Sequence, residues 1–204
     1  MRADGQWLGL LLTLTLMLPL LLASPSAGAA SAAELLEQAR GKSRDLEELK
    51  SVLNGPDPNM RLATFEVMVA SGDPTIREMA LDTALTSTDA VLQALALKTV
   101  VLSQNAMQFY LEVDTSQPEE IQANAQKYLA NTGNIYTQKI TAVDPESGTF
   151  KLGSHQGQVS GTQVSFTYSY DKGTLQMEDE TSLQGPVMIY KGAWCGFIAT
   201  WKLR

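Results

Sequence analysis

Cys195 and His155 are the only cysteine and the only histidine in the 204-residue chain, so a Cys–His nucleophile pair is the first chemistry to weigh. Such a pair needs a thiol made acidic by a neighbouring cation. Cys195 instead alternates with Phe197 and Trp201 along a strand-like apolar face, with no basic residue adjoining it, which describes a buried inert thiol. His155 lies in Gly153-Ser154-His155-Gln156-Gly157, which reads as an exposed turn. One Cys and one His cannot supply a zinc cluster, and Glu178-Asp179-Glu180 lacks the alternating oxygen ligands and the glycine of a calcium loop. Gly153, Gly157 and Gly161 recur every four residues without the following helix and Lys of a phosphate cradle, and no Ser sits in a Gly-x-Ser-x-Gly elbow. The expectation is a protein that is not an enzyme, with no catalytic residue, no metal and no cofactor.

Aromatic side chains carry the remaining possibilities. Trp194 falls on the opposite side of its strand from Cys195, and with Tyr190 and Lys191 it forms a candidate contact for a protein partner, an aromatic anchor beside a charge. Phe166, Tyr168, Tyr170, Phe197 and Trp201 offer an alternative, a pocket inside the C-terminal half for a small hydrophobic ligand.

These residues depend on two kinds of element. Residues 57–104 repeat one sixteen-residue pattern three times, opening at Asp57, Asp73 and Asp89. Each Asp is placed to cap a helix, and Pro58 and Pro74 occupy the first helical position, where a missing N–H costs nothing. Five positions are apolar in every copy, among them Met60/Ile76/Leu92 and Phe65/Leu81/Leu97, and they cover a wide arc, with Glu66/Asp82/Lys98 in the gap. Each helix is therefore expected to pack on two sides, as repeated units in a stack do.

The Asp-Pro-x-(Met/Ile)-Arg openings resemble HEAT-like helical repeats of the short kind, in which two helices make a unit of roughly thirty residues. The resemblance covers residues 57–104 only. It implies a hydrogen-bonded ladder between successive units, for which Asp57 with Arg61 and Asp73 with Arg77 match the family's pair, and a binding surface rather than chemistry. The third unit departs from the pattern at Ala90 and Gln93.

Residues 1–29 read as a signal peptide, with an apolar run from Trp7 to Leu22 and the small triplet Ala27-Gly28-Ala29. This implies a secreted or periplasmic chain with no stable membrane span after cleavage. Residues 30–132 form the helical domain. Ser31 with Glu34 opens one helix, a second follows Ser43, residues 106–111 continue a helix, and Ser116 with Pro118 opens the last. From residue 133 the hydrophobic period changes to two, and residues 133–204 read as about six antiparallel strands, an open sheet or a small barrel, with turns at Asp144–Gly148 and at Asp171-Lys172-Gly173. The class is α+β. Residues 30–132 carry fifteen acids against eight bases and residues 133–204 six of each, so no basic stripe exists to hold nucleic acid. The function implied is that of an exported, non-catalytic interaction or scaffold protein with an unidentified protein partner, its oligomeric state left open.

Overall fold

The computed structural model describes residues 31–203, so the expected signal peptide lies outside the described residues. The chain divides into two units, Met1–Ala39 and Arg40–Arg204. Among the described residues, five helices, α1 (Ala32–Leu53), α2 (Pro58–Ala70), α3 (Pro74–Leu85), α4 (Ala90–Ser103) and α5 (Glu119–Thr132), accompany nine strands. The strands are β1 (Ala106–Val113), β2 (Ile135–Lys139), β3 (Ala142–Asp144), β4 (Thr149–Leu152), β5 (His155–Ser160), β6 (Gln163–Tyr168), β7 (Asp171–Asp179), β8 (Ser182–Tyr190) and β9 (Trp194–Lys202). The class is α+β, with helices gathered in the N-terminal part and one antiparallel sheet after them.

The start of α1 carries the expected capping box, Ser31 N–H donating to Glu34 at 2.7 Å and Glu34 N–H to the Ser31 hydroxyl at 3.2 Å. The expected break before Ser43 does not occur. One glycine, Gly41, is too small an interruption to end a helix that has no proline within it.

The Asp caps behave alike in all three repeats: one carboxylate oxygen of Asp57, Asp73 and Asp89 accepts from the second and third amides of its helix, at 2.8–3.4 Å. Burial is uneven, against the expectation that every helix is covered on two sides. In α4, Leu92, Ala96, Leu97, Val100 and Val101 are buried, whereas α2 buries Phe65 and Met68 alone and leaves Met60 and Val67 52% and 68% exposed. The cause is position: α2 packs on α3 and α3 on α4, while α4 also meets the sheet at β5. Lys98, from the column expected to face water, lies against the sheet, its stem 3.3 Å from where a Cβ on Gly148 would sit.

Residues 106–111 form a strand, not the expected helix. Met107, Phe109 and Leu111 point inward while Gln108, Tyr110 and Glu112 point out, and this alternation decides the element once Gln104 has ended α4. β1 is inserted between β2 and β9, giving the order β2-β1-β9-β8-β7-β6-β5-β4-β3, so the sheet has nine strands rather than about six. The sheet curls into a half-barrel. Its two edge strands are joined by only Ile140 and Thr141, and these turn from one edge to the other: Ile140 N–H donates to Asn105 O at 3.0 Å, beside β1, and Thr141 N–H to Lys151 O at 2.9 Å, in β4.

Opposite walls meet inside the curl. Phe166 of β6 lies 5.2 Å from Phe109 of β1 and 6.3 Å from Tyr136 of β2, ring centre to ring centre, and Trp201 lies 5.5 Å from Phe109. The curvature needs glycines under the rings. Phe150 covers Gly157 so closely that a Cβ there would lie 2.1 Å from the ring, and Phe166 covers Gly173 in the same way. Gly157→Ala should therefore overpack the interior and lower unfolding stability by about 1–3 kcal/mol in chemical denaturation. An unchanged midpoint would mean that the ring has room to move.

Candidate functional site

The residues expected to contact a partner come together at one end of the half-barrel. Tyr190 closes β8 and Trp194 opens β9, cross-strand partners whose rings meet edge to face at 5.2 Å. Tyr170 joins them from the β6–β7 turn, its ring 5.4 Å from Tyr190, and Lys172 Nζ lies 5.8 Å from the Trp194 ring centre. Tyr170 is 68% exposed, and Tyr190 and Trp194 are each 38% exposed. Lys191 is exposed in the β8–β9 turn between Tyr190 and Trp194. The result is a continuous aromatic ladder with cationic flanks.

Tyr170 reaches this ladder because the turn is not where the sequence places it. Tyr168 pairs with Asp171, which leaves Ser169 and Tyr170 as a two-residue turn, and Asp171 starts β7 instead of forming the turn. Ser169 adopts φ 57°, the only non-glycine residue with positive φ among those described. No glycine or asparagine marks that position, so residue types gave no signal.

Asp171, only 5% exposed, is the anchor beneath the ladder. One carboxylate oxygen accepts from Tyr190 N–H at 2.8 Å and the other from the Tyr136 hydroxyl at 3.0 Å. Burial first, and the neighbouring Asp171 second, push the Tyr136 hydroxyl far above the ordinary phenol range, which keeps it a donor. Next to this pair opens a cleft of about 470 Å³, lined by Ser154, His155, Tyr168, Asp171, Tyr190 and Lys191 among others. A second hollow of about 290 Å³ lies on the far side of Lys191, between α5 and β9, where Lys127, Tyr128 and Asn131 face Ala193 and Cys195. α5 is held there by Tyr128 against Phe197 at 5.4 Å and by Asn124, which donates to Trp194 O at 3.3 Å.

The five residues of the alternative pocket do not share one space. Phe166, Phe197 and Trp201 are buried, with Phe166 and Trp201 both packed on Phe109 and Phe197 on Tyr128; Tyr168 packs on His155 at 5.4 Å, and Tyr170 stands in the ladder. His155 begins β5 and is half-buried, not in an exposed turn. Cys195 is buried in β9, four strands away along the sheet order, and burial pushes its thiol up, helped by Asp171. Asp179 is engaged in its own turn. Bonds from the Thr181 hydroxyl and amide, with the Ser182 hydroxyl, hold its carboxyl at about 2. Among the described residues no three His, Cys, Asp or Glu side chains converge as metal ligands, and no helix is long and apolar enough to cross a membrane.

In the repeats, Arg61 reaches across to the third unit. Its guanidinium bonds Asp89, Nε at 3.1 Å, and the Gly55 carbonyl at 2.7 Å. Asp57 serves as a cap, Asp73 pairs with Lys42 at 3.2 Å, and Arg77 donates its backbone N–H to Asp73 O, with no side-chain ion pair among the described residues. The Arg61 bond holds the Asp89 carboxyl below its ordinary value of 3.8. A carboxyl depressed on folding adds stability above its unfolded pKa and loses it as pH falls through the folded one. Arg61→Ala should thus melt several degrees lower at neutral pH, with the gap narrowing on acidification below 3.8. A gap independent of pH would deny the ion pair its role.

No family model, curated protein or solved structure matches this chain.

Proposed function

We propose that the protein is an exported, non-catalytic interaction protein that grips a protein partner at the aromatic end of its β half, with the HEAT-like helical units as an acidic scaffold beside it. The observation that carries this reading is the ladder Tyr170–Tyr190–Trp194, three large rings left in contact with water and with one another. Exposed aromatics held rigid by their neighbours give large contact area at little entropic cost, and such residues dominate binding energy at protein interfaces. The Asp171 carboxylate, fixing the Tyr190 backbone from below, pre-organises the ladder. Nothing nucleophilic lies within it. The alternative reading, a small hydrophobic ligand in the β half, has less support because Phe166 and Trp201 pack on Phe109 where such a ligand would sit.

The test is affinity capture from the native extracellular or periplasmic extract with the mature chain and with a Tyr190→Ala/Trp194→Ala variant of verified fold. A protein retained by the first and lost by the second is the expected result. Equal retention by both would contradict the reading, as would a lipid or other small apolar molecule co-purifying in stoichiometric amount.

A further inference from the structure

Three lysines surround the ladder and its hollows: Lys172 over Trp194, Lys191 on the ridge between the two hollows, and Lys127 on the α5 side of the second. All three are exposed, and none is paired with a carboxylate of this chain among the described residues. The chain as a whole carries a net charge of −7, with acids outnumbering bases. Unpaired cations concentrated beside exposed rings give one surface a local potential opposite to that of the whole molecule. We infer that this end of the half-barrel binds an extended acidic peptide segment of its partner, apolar side chains lying along Tyr170, Tyr190 and Trp194 and carboxylates meeting Lys191, Lys127 and Lys172. This inference rests on the protein-binding reading above.

The shape agrees with the charge. Two hollows on either side of a lysine ridge, continuous with the ladder through Tyr190 and Lys191, make a track for a narrow chain rather than a flat seat. Aromatic rings with lysines also occur on surfaces that lie on anionic bilayers. Range separates the two cases. At physiological salt, charges are screened beyond about 8 Å, so a slender peptide on the track sees its exposed lysines and the Asp171 carboxylate that lines the first hollow, whose two oxygens already accept from Tyr190 N–H and the Tyr136 hydroxyl. A bilayer presents a broad negative plane, which meets the net negative charge of the molecule as well.

The experiment is selection of short random peptides on the full mature chain, followed by titration of the strongest binder against wild type, Lys127→Glu/Lys191→Glu and Trp194→Ala, with phosphatidylglycerol vesicles as a parallel arm. Circular dichroism confirms the fold of each variant. The expected result is enrichment of Asp and Glu beside apolar residues, with affinity falling roughly tenfold or more on lysine reversal and weakening as salt is raised. Binders that are not acidic, yet depend on Trp194, would overturn the acidic-segment inference and leave the protein-binding reading intact. Binders indifferent to Trp194 would remove both. Vesicle binding without acidic peptide binding would overturn the inference in favour of a membrane surface.

Discussion

Trp201→Ala should lower the free energy of unfolding by about 3–5 kcal/mol, the usual loss when a buried indole leaves a cavity. Trp201 is 2% exposed, pairs across strands with Leu183, and turns its ring edge to Phe109 at 5.5 Å. The surrounding strands are hydrogen-bonded on both sides and cannot collapse into the space the indole vacates. For a chain of this size the loss corresponds to a drop in melting temperature on the order of 10 °C. The magnitude matters for function as well as for stability. If the interior were a binding cavity open to solvent, Trp201 would be a lining residue, and its truncation would cost well under half as much. A thermal melt therefore weighs the filled interior against the pocket.

Asp171→Ala is expected to cost about 2–4 kcal/mol, since it removes the acceptor of two donors, each worth about 1–3 kcal/mol when left unsatisfied in the interior. The Tyr136 hydroxyl cannot escape to water: its ring stacks on Phe109 at 5.9 Å inside the curl and is 4% exposed. Asp171→Asn should be milder, because the amide oxygen still accepts from one donor and the phenol can rotate to accept from the amide nitrogen. The two variants also report on function. Releasing Tyr190 N–H frees the end of β8, so Asp171→Ala should weaken partner binding more than Asp171→Asn does, although Asp171 itself is only 5% exposed. Equal stability of all three proteins in denaturant melts would show that the carboxylate does not anchor the ladder.

Much of this molecule was legible before its coordinates. Asp57, Asp73 and Asp89 cap their helices because a short carboxylate before a helical run has one low-energy place to go. The change of period after Gly133, which ends α5 with φ 80°, marked the meander, and the turn ending in Gly148 formed as read. The surface position of Tyr190, Lys191 and Trp194 was legible because an aromatic on the far side of an apolar strand face must either be covered by another element or remain at the surface.

What escaped was long-range. Residues 106–111 joined a sheet whose other strands begin only at Ile135, after the whole of α5, and nothing local announces a pairing with β9 at Trp194–Lys202. Asp171 and Lys172 looked like turn residues, and only the strand register, with Tyr168 opposite Asp171, turns one inward under the ladder and the other outward over Trp194. Arg61 has Asp57 close by in sequence, yet the fold carries its guanidinium to Asp89 in the third unit. Each of these depends on which elements become neighbours, which hydrophobic period alone does not encode.

The proposed function puts the binding energy in the exposed rings Tyr170, Tyr190 and Trp194 at one end of the half-barrel. Its most direct test is the dissociation constant of the captured partner for wild type, Trp194→Ala and a control, Val143→Ala, a 43% exposed residue on β3 outside the ladder. Loss of a hot-spot aromatic costs about 2 kcal/mol or more, so Trp194→Ala should weaken binding roughly thirtyfold while the control stays within about twofold. The contrary result, full affinity in Trp194→Ala with an intact fold, would place the binding surface elsewhere on the molecule.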